Sequence, residues 1–257
     1  MVEDVASPAP VEIPVCVLRE IDRSRLVGGG LVVDDELVRA GALGPALMME
    51  PTLADLYDRA MGNVPIVGDL ASVTWHLNMM GHGAMWGGGD KDIAVLRTPV
   101  ATGEGNEGAE GTTWNLQGKN ADFYTFPSYV NTLPPVTAYT RALDEADGRL
   151  DEAWRGHPFS ELHNGFDTPA RTPYQTRLVE TVIEREGFGK DDVPDLLSLN
   201  YKAIDTIGHL FSADGVEMSD AVRYQDAALR QLGHVVGLPG QAGGGGHRVA
   251  VERARLL

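Results

Sequence analysis

Apolar residues along the chain recur in two patterns, as short continuous runs and as helically spaced stripes. The runs, each typical of a buried strand, are 13–18, 31–33, 64–67, 93–96 and 193–200. The stripes predict helices at 52–60, 137–153, 173–187 and 214–232. Because strands alternate with helices, we predict an α/β fold with a mainly parallel sheet flanked by helices.

The helix predicted at 52–60 has a clear beginning and a clear end. Thr52 can cap it, and Asp55 lies in its first turn, where a negative charge suits the helix dipole. Gly62 and Asn63 end it. One apolar face is expected, formed by Leu53, Leu56, Tyr57 and Ala60.

The last predicted helix follows a strand and a loop. Asp214 is its expected cap, and Gly233 lies just past its end. Its expected buried stripe consists of Met218, Val222, Leu229 and Leu232. The loop before it, which we expect to follow the strand at 193–200, carries Asp205 and His209.

The charge balance excludes some functions. The net charge is -16 and the pI is near 4.7, which argues against a reader of nucleic-acid polymers and against adhesion to anionic membranes. No run of about 18 apolar residues predicts a membrane span. The N-terminus does not resemble a signal peptide. We therefore expect a cytoplasmic chain as written, unless an export segment has been lost upstream.

Asp205 and His209 are the strongest candidates for chemistry, because ligands in α/β proteins gather at the carboxyl ends of strands. A carboxylate oxygen and an imidazole nitrogen together suit zinc or a similar divalent ion. The spacing by itself is common in proteins, however. The Gly81–Gly87 run lacks the dinucleotide-binding pattern, and no phosphate-binding loop or nucleophile elbow occurs.

The surrounding sixty residues make the assignment more specific. They run from Thr172-Pro through Glu186-Gly-Phe-Gly and Pro194-Asp-Leu-Leu to Asp205-Thr-Ile-Gly-His209, and on to an acidic helix that carries Asp226. In order and spacing this stretch resembles the alkaline phosphatase superfamily, in its type I phosphodiesterase/nucleotide pyrophosphatase branch. The resemblance extends over roughly 30–232. It implies metal-dependent hydrolysis of small phosphate monoesters or diesters, with two metals in the full site and zinc as the expected ion. By the same resemblance, Asp205 and His209 are ligands of one of those two metals.

The chain also departs from the family pattern. The family's early metal-binding Asp and its Thr nucleophile have no recognisable counterpart in 13–27, and its late Asp-His-Gly run and final His are absent. Ser24, Thr52 and Thr74 do not stand in the expected context, so the catalytic nucleophile is unknown. We expect at most one metal here and little or no activity. The alternatives are a non-catalytic remnant or binding module, or one half of a split enzyme.

The remaining expectations concern domain organisation and four large side chains. A partial domain is predicted over 13–236, with a cap-like insertion at 97–170 and flexible termini at 1–12 and 237–257. His76 and His82 could bind metal, but a core or turn position fits them better. Trp75 and Trp86 could line a pocket, although packing is the ordinary role of such residues. The oligomeric state is unknown.

Overall fold

A computed structural model describes most of the region after residue 50. Its described residues are 26–27, 30–31, 45, 50–72, 74–85, 88–98, 113–114, 116, 120–146, 148–236 and 249–251. The predicted strand at 13–18 and both predicted flexible termini, apart from 249–251, lie outside these residues. Of the run at 31–33, only Leu31 is described, as part of a short strand. The proposed domain bounds and the cap-like insertion stay predictions.

The strands and helices alternate, as the sequence predicts. The strands are β1 Leu26–Val27, β2 Gly30–Leu31, β3 Val67–Ala71, β4 Asp92–Thr98, β5 Thr113–Trp114, β6 Tyr124–Thr125, β7 Ala153–Trp154, β8 His157–Pro158, β9 Asp195–Leu199 and β10 Val249–Val251. The helices are α1 Leu53–Ala60, α2 Thr74–Met80, α3 Asn120–Phe123, α4 Thr137–Glu145, α5 Arg171–Glu186, α6 Ala203–Leu210 and α7 Val216–Val235.

Six strands form the main sheet, in the order β10-β9-β3-β4-β5 with β6 also beside β4. Every pairing is parallel except that of β4 with β5. The fold is therefore the mainly parallel α/β arrangement predicted from the sequence. At the centre of the sheet, Asp69 of β3 is opposite Ala94 of β4 and Ser198 of β9.

One face of the sheet packs against α5 and α7. The core there includes Leu70 and Leu197 from the sheet and Leu178 and Val182 from α5. Gly68 lets Phe188 pack directly on β3, since a Cβ at Gly68 would lie 2.8 Å from the Phe188 ring. α5 ends where the sequence predicts, at Gly187, whose φ of 86° suits a left-handed cap.

The opposite face is covered by α2, and α1 lies against the segment that follows α2. The prediction for α1 was half right. Thr52 caps the helix and Asp55 completes a capping box, as expected. The apolar face does not point to the core: Leu53 is 66% and Leu56 is 53% exposed, while Asp55 and Asp58 are buried. The reason is that the backbone N–H and the imidazole of His82 bond Asp55 on the acidic side of the helix.

The buried stripe of α7 also differs from the prediction. Its core side is formed by Ala221, Ala228, Leu232 and Gly233, whereas Val222 and Leu229 are about half exposed. α7 packs against both α5 and α6, and small residues allow that close approach. Gly215, one residue after the predicted Asp214, is its N-cap.

The region between β5 and α5 consists of short elements. The predicted helix at 137–153 ends at Glu145, and a β7–β8 hairpin and several single-turn 3-10 helices follow. The predicted extended segment at 126–135 contains a 3-10 helix at Ser128–Thr132. Within the described residues, no helix has both the length and the apolar character that crossing a membrane requires.

Candidate functional site

Asp205 and His209 lie at the carboxyl end of β9, as predicted, but in a helix rather than in a loop. β9 ends at Leu199, and α6 begins at Ala203 after a three-residue connection. The loop expectation was wrong because apolar Ala203 and Ile207 pack inward and make this segment a helix. Residues four apart share a helix face, so the two side chains point the same way.

The two candidate ligand atoms are close enough to bind one ion. Asp205 Oδ2 lies 3.8 Å from His209 Nε2. Bonds of about 2.1 Å from each atom to zinc would span this separation at an open angle. The His209 side chain is 80% exposed and the Asp205 side chain 46% exposed, so both are accessible from solvent.

Lys202 is the present partner of Asp205. Its Nζ lies 2.5 Å from Asp205 Oδ2. This hydrogen bond is the main reason why the pKa of Asp205 is lowered, and His209 and His76 add to it. The carboxylate is therefore ionised at neutral pH, as a metal ligand must be, but a cation would have to displace or share Lys202.

His76 belongs to the same edge of the sheet, although the sequence indicated only a core or turn position. His76 Nδ1 lies 2.9 Å from Asn200 Oδ1, in the connection that follows β9. Burial lowers the pKa of His76, and the bond to Asn200 opposes that effect. Its ring is thus held beside Asp205 in a neutral form that suits metal binding.

A largely apolar cleft of about 400 Å³ opens beside this edge. It lies between α1, α2 and β9, and His76 and Asn200 line it together with Leu53 and Met79. Leu53 and Met79 are 66% and 67% exposed. The apolar face of α1, which does not point to the core, therefore forms one wall of the cleft.

Asp205 and His209 fit a divalent metal as part of a ligand set. Their donor atoms, separation and accessibility are suitable, and a structural or catalytic zinc site needs at least three protein ligands. Within the described residues, no third His, Cys, Asp or Glu completes a group around this pair. The pair is therefore half of a site.

A second group of acids, which the sequence analysis missed, lies at the other edge of the sheet. Asp92 begins β4, and Asp90 precedes it. Asp55 and Asp58 reach this edge from α1, and Asp69 from β3. Asp90 is exposed, and the other four are no more than 6% exposed.

Both carboxylate oxygens of Asp55 have hydrogen-bond partners. Its Oδ1 accepts a 2.8 Å bond from the His82 backbone, and its Oδ2 lies 2.8 Å from His82 Nδ1 and from Thr52 Oγ1. Burial by itself would raise the pKa of Asp55, but the bonds from His82 and Thr52 outweigh it and lower the pKa. The Thr52 hydroxyl is thereby engaged in the capping box of α1.

In the other buried acids, burial and neighbouring charges outweigh the few hydrogen bonds that favour the ionised form. Burial and then the charges of Asp92 and Asp55 raise the pKa of Asp69 well above its usual range. Burial and the Asp55 charge raise the pKa of Asp92 to about 8, and burial and Asp90 raise that of Asp58 to about 6. The i, i+3 spacing of Asp55 and Asp58 was the sequence signal that could have indicated a buried acidic helix face.

The remaining candidates from the sequence have ordinary positions or are not described. Asp226 is exposed and forms an ion pair with Arg230 of the same helix. His82 is fully buried and pairs with Asp55, in line with a core role. Ser24 and Trp86, and the side chains of Thr74 and Trp75, lie outside the described residues.

Comparison with known proteins identifies the family. The family model described as type I phosphodiesterase / nucleotide pyrophosphatase matches residues 48–236, which include the whole described part of the main sheet except β10. The chain belongs to this family. The resemblance inferred from the sequence is therefore confirmed, and the chain is a member of a family of phosphoric ester hydrolases.

One curated relative is the alkaline phosphatase PafA of Elizabethkingia meningoseptica. It is 23% identical over an alignment of 116 positions, which covers 38% of this chain and 20% of that protein. The chain thus spans about a fifth of the length of this relative. No solved structure matches the chain.

Proposed function

We propose that this chain is part of a metal-dependent hydrolase of small phosphate monoesters or diesters, in which Asp205 and His209 hold one divalent cation. Zinc is the expected ion, because one ligand is a carboxylate and the other an imidazole. The observation that carries the proposal is the 3.8 Å separation of Asp205 Oδ2 and His209 Nε2 at the carboxyl end of β9, inside the region that the family model matches.

The metal would polarise a phosphoryl oxygen and offset the negative charge of the ester. The chain's own residues have supporting roles. Asn200 orients the His76 ring, and Lys202 keeps Asp205 ionised. Lys202 is also a positive charge at this edge, in a chain with a net charge of -16, and would attract a phosphate group.

We further propose that the isolated chain is inactive or weakly active. A hydrolase of this kind needs a nucleophile next to its metal. Among the described residues, no Ser or Thr hydroxyl forms a hydrogen bond with Asp205, whose polar neighbours are Lys202, His209 and His76. One metal, bound weakly, is the expected stoichiometry.

A direct test combines zinc binding with hydrolysis. The purified chain is titrated with zinc by calorimetry and assayed with an aryl phosphate and an aryl phosphodiester. Asp205→Ala and His209→Ala should abolish the zinc uptake, while the exposed nearby acid in Asp214→Ala serves as the matched control. Zinc uptake that both ligand variants retain would contradict the metal assignment. Rapid turnover that is lost in Asp205→Ala would contradict the claim of inactivity.

A split enzyme is the second candidate function. The cleft of about 400 Å³ beside Asn200 has exposed Leu53 and Met79 on its walls, which suits a complementary polypeptide better than a phosphate ester. In that arrangement a second polypeptide supplies the missing ligands and nucleophile. Two tightly bound metals per complex would support it, whereas one weakly bound ion or none indicates a non-catalytic remnant or binding module.

A further inference from the structure

We propose that Asp58, Asp90 and Asp92 bind one calcium-like divalent cation at the edge of the sheet opposite to Asp205. One oxygen from each carboxyl group lies within 4.8 Å of the others. Asp58 comes from the end of α1, Asp90 from the segment before β4, and Asp92 from the first residue of β4. The parallel strands separate this edge from the carboxyl end of β9, so this site is distinct from the proposed hydrolase metal.

The spacing of the oxygens fits the size of calcium. Calcium binds oxygen at about 2.3–2.6 Å, so oxygens on opposite sides of the ion are about 4.8 Å apart. All three ligands are carboxylates, which hard cations prefer, and the group contains no His or Cys that would favour zinc. Calcium tolerates irregular geometry and accepts water as further ligands, and exposed Asp90 leaves that side of the site open.

Buried oxygens without partners point to a ligand. Asp58 is 4% exposed, and its Oδ1 is buried and accepts no hydrogen bond. Such an oxygen is costly in a folded protein unless something binds it. Oxygens of the Asp58 and Asp90 carboxyl groups also lie within 4.8 Å of each other, an approach that a shared proton or a cation between them would stabilise.

The buried carboxylate of Asp69 is a second, independent sign of a ligand. It is 2% exposed, and neither of its carboxylate oxygens accepts a hydrogen bond of ordinary geometry, although the Ser198 hydroxyl is near enough to favour the ionised form. Asp69 Oδ2 and Asp92 Oδ2 each lie 2.8 Å from the point where a Cβ on Gly81 would be. The two oxygens are thus at most about 5.6 Å apart, with Asp69 directed toward the group.

Among the side chains that the structure describes, no positive one balances these charges. In the described part of the chain, Asp58, Asp69, Asp90 and Asp92 take part in no ion pair with Lys, Arg or His. Lys91, next to two of them, instead donates a 2.7 Å bond to the Ala121 carbonyl. A bound cation would supply the missing charge and would tie the end of α1 to the start of β4.

Calorimetry with calcium tests the site. The chain is freed of metal with EDTA, dialysed and titrated with calcium chloride, and its thermal unfolding is followed with and without calcium. We expect one calcium per chain, and a rise in Tm of about 5 °C or more at a calcium concentration of about 100 times Kd. Asp90→Asn, at an exposed position, should fold normally and weaken calcium binding at least tenfold.

Two matched controls make the result specific. Asp122→Asn removes an exposed carboxylate elsewhere, and it should bind calcium as the unaltered chain does. Asp205→Asn should also retain calcium binding while losing zinc uptake, so the two metal proposals can fail separately. The calcium proposal would be overturned if the unaltered chain showed no saturable calcium binding, or if Asp90→Asn bound calcium equally well. In either case protons rather than a cation hold the carboxylates together.

Discussion

Acidic groups lie at both edges of the parallel sheet, and each group lacks what the other has. At the carboxyl end of β9, Asp205 is accessible and neutralised by Lys202, but too few ligands surround it. Near the amino-terminal end of β4, Asp58 and Asp92 are buried, as is Asp69 of β3, but within the described residues no positive side chain forms an ion pair with them. The first edge has an incomplete set of ligands, and the second has a set of ligands without a charge to balance it.

The difference shows that burial, rather than the number of carboxylates, decides how strongly an acidic group affects a protein. A half-exposed ion pair such as Lys202–Asp205 contributes little to folding because water screens it. A buried ionised carboxylate without a partner lowers the stability of the fold because it has lost its hydration. It therefore binds a proton, a cation or a neighbouring donor. The following predictions test this contrast.

The largest expected effect is a loss of stability as the pH rises in the absence of divalent cations. The pKa of Asp92 is about 8 in the folded chain and about 3.9 when unfolded. Its stabilising contribution is thus complete below about pH 4 and is lost as the pH rises toward 8. The loss is at most about 1.4 kcal/mol per pH unit, or about 4 kcal/mol between pH 5 and 8.

Burial of Asp92, and then the groups that face it, set this pKa. These groups are the carboxyl groups of Asp55, Asp58, Asp69 and Asp90 and the backbone N–H of Gly83. Urea unfolding in EDTA at pH 5, 6.5 and 8 measures the effect, and Asp92→Asn should remove most of the slope. Saturating calcium should also reduce it. An unchanged slope in Asp92→Asn would show that other groups cause it.

His82→Ala should destabilise the chain by about 3 kcal/mol, because it leaves Asp55 buried with one partner fewer and opens a cavity. His82 is fully buried, and its Nδ1 lies 2.8 Å from Asp55 Oδ2. His163→Ala is the matched control, since His163 is bonded to Asp167 but is nearly half exposed. Urea unfolding should show a change below about 1 kcal/mol for that variant. Equal losses in the two variants would contradict the role of burial.

Gly81→Ala should destabilise the chain by about 2 kcal/mol, since its Cβ would lie 2.8 Å from both Asp69 Oδ2 and Asp92 Oδ2. Gly208→Ala in α6 is the control. Its Cβ meets only the flexible end of Met218, at 3.2 Å, and alanine favours a helix by about 1 kcal/mol. Thermal unfolding should therefore move Tm down in the first variant and leave it equal or higher in the second. A Tm for Gly81→Ala at or above that of the unaltered chain would mean that the carboxylates are farther apart than the structure shows.

The smallest expected effect is that of Asp205→Asn. It should change the free energy of unfolding by less than about 1 kcal/mol, because the Asp205 side chain is 46% exposed and screened by water. Urea unfolding measures the change, and the zinc titration of the same variant reports the site. A loss of several kcal/mol would show that Lys202 and Asp205 have a structural role.

Sequence alone was most informative where a segment's own residues define its structure. The strands around 93–96 and 193–200, the Thr52 capping box and the Gly187 helix end all follow from local rules, and the structure agrees with them. The spacing of Asp205 and His209 gave the candidate metal ligands, and the surrounding motif gave the family.

The tertiary structure decided which face of each helix is buried. Helical spacing indicates that α1 has an apolar face, but burial of its acidic face depends on the bonds from His82 to Asp55, residues that are far apart in the sequence. For the same reason the acidic group around Asp92 was not predictable. Its members come from α1, β3 and β4, and only the sheet brings them together. The sequence determined the elements and the family of this protein. Contacts between distant segments determined where its charges are buried.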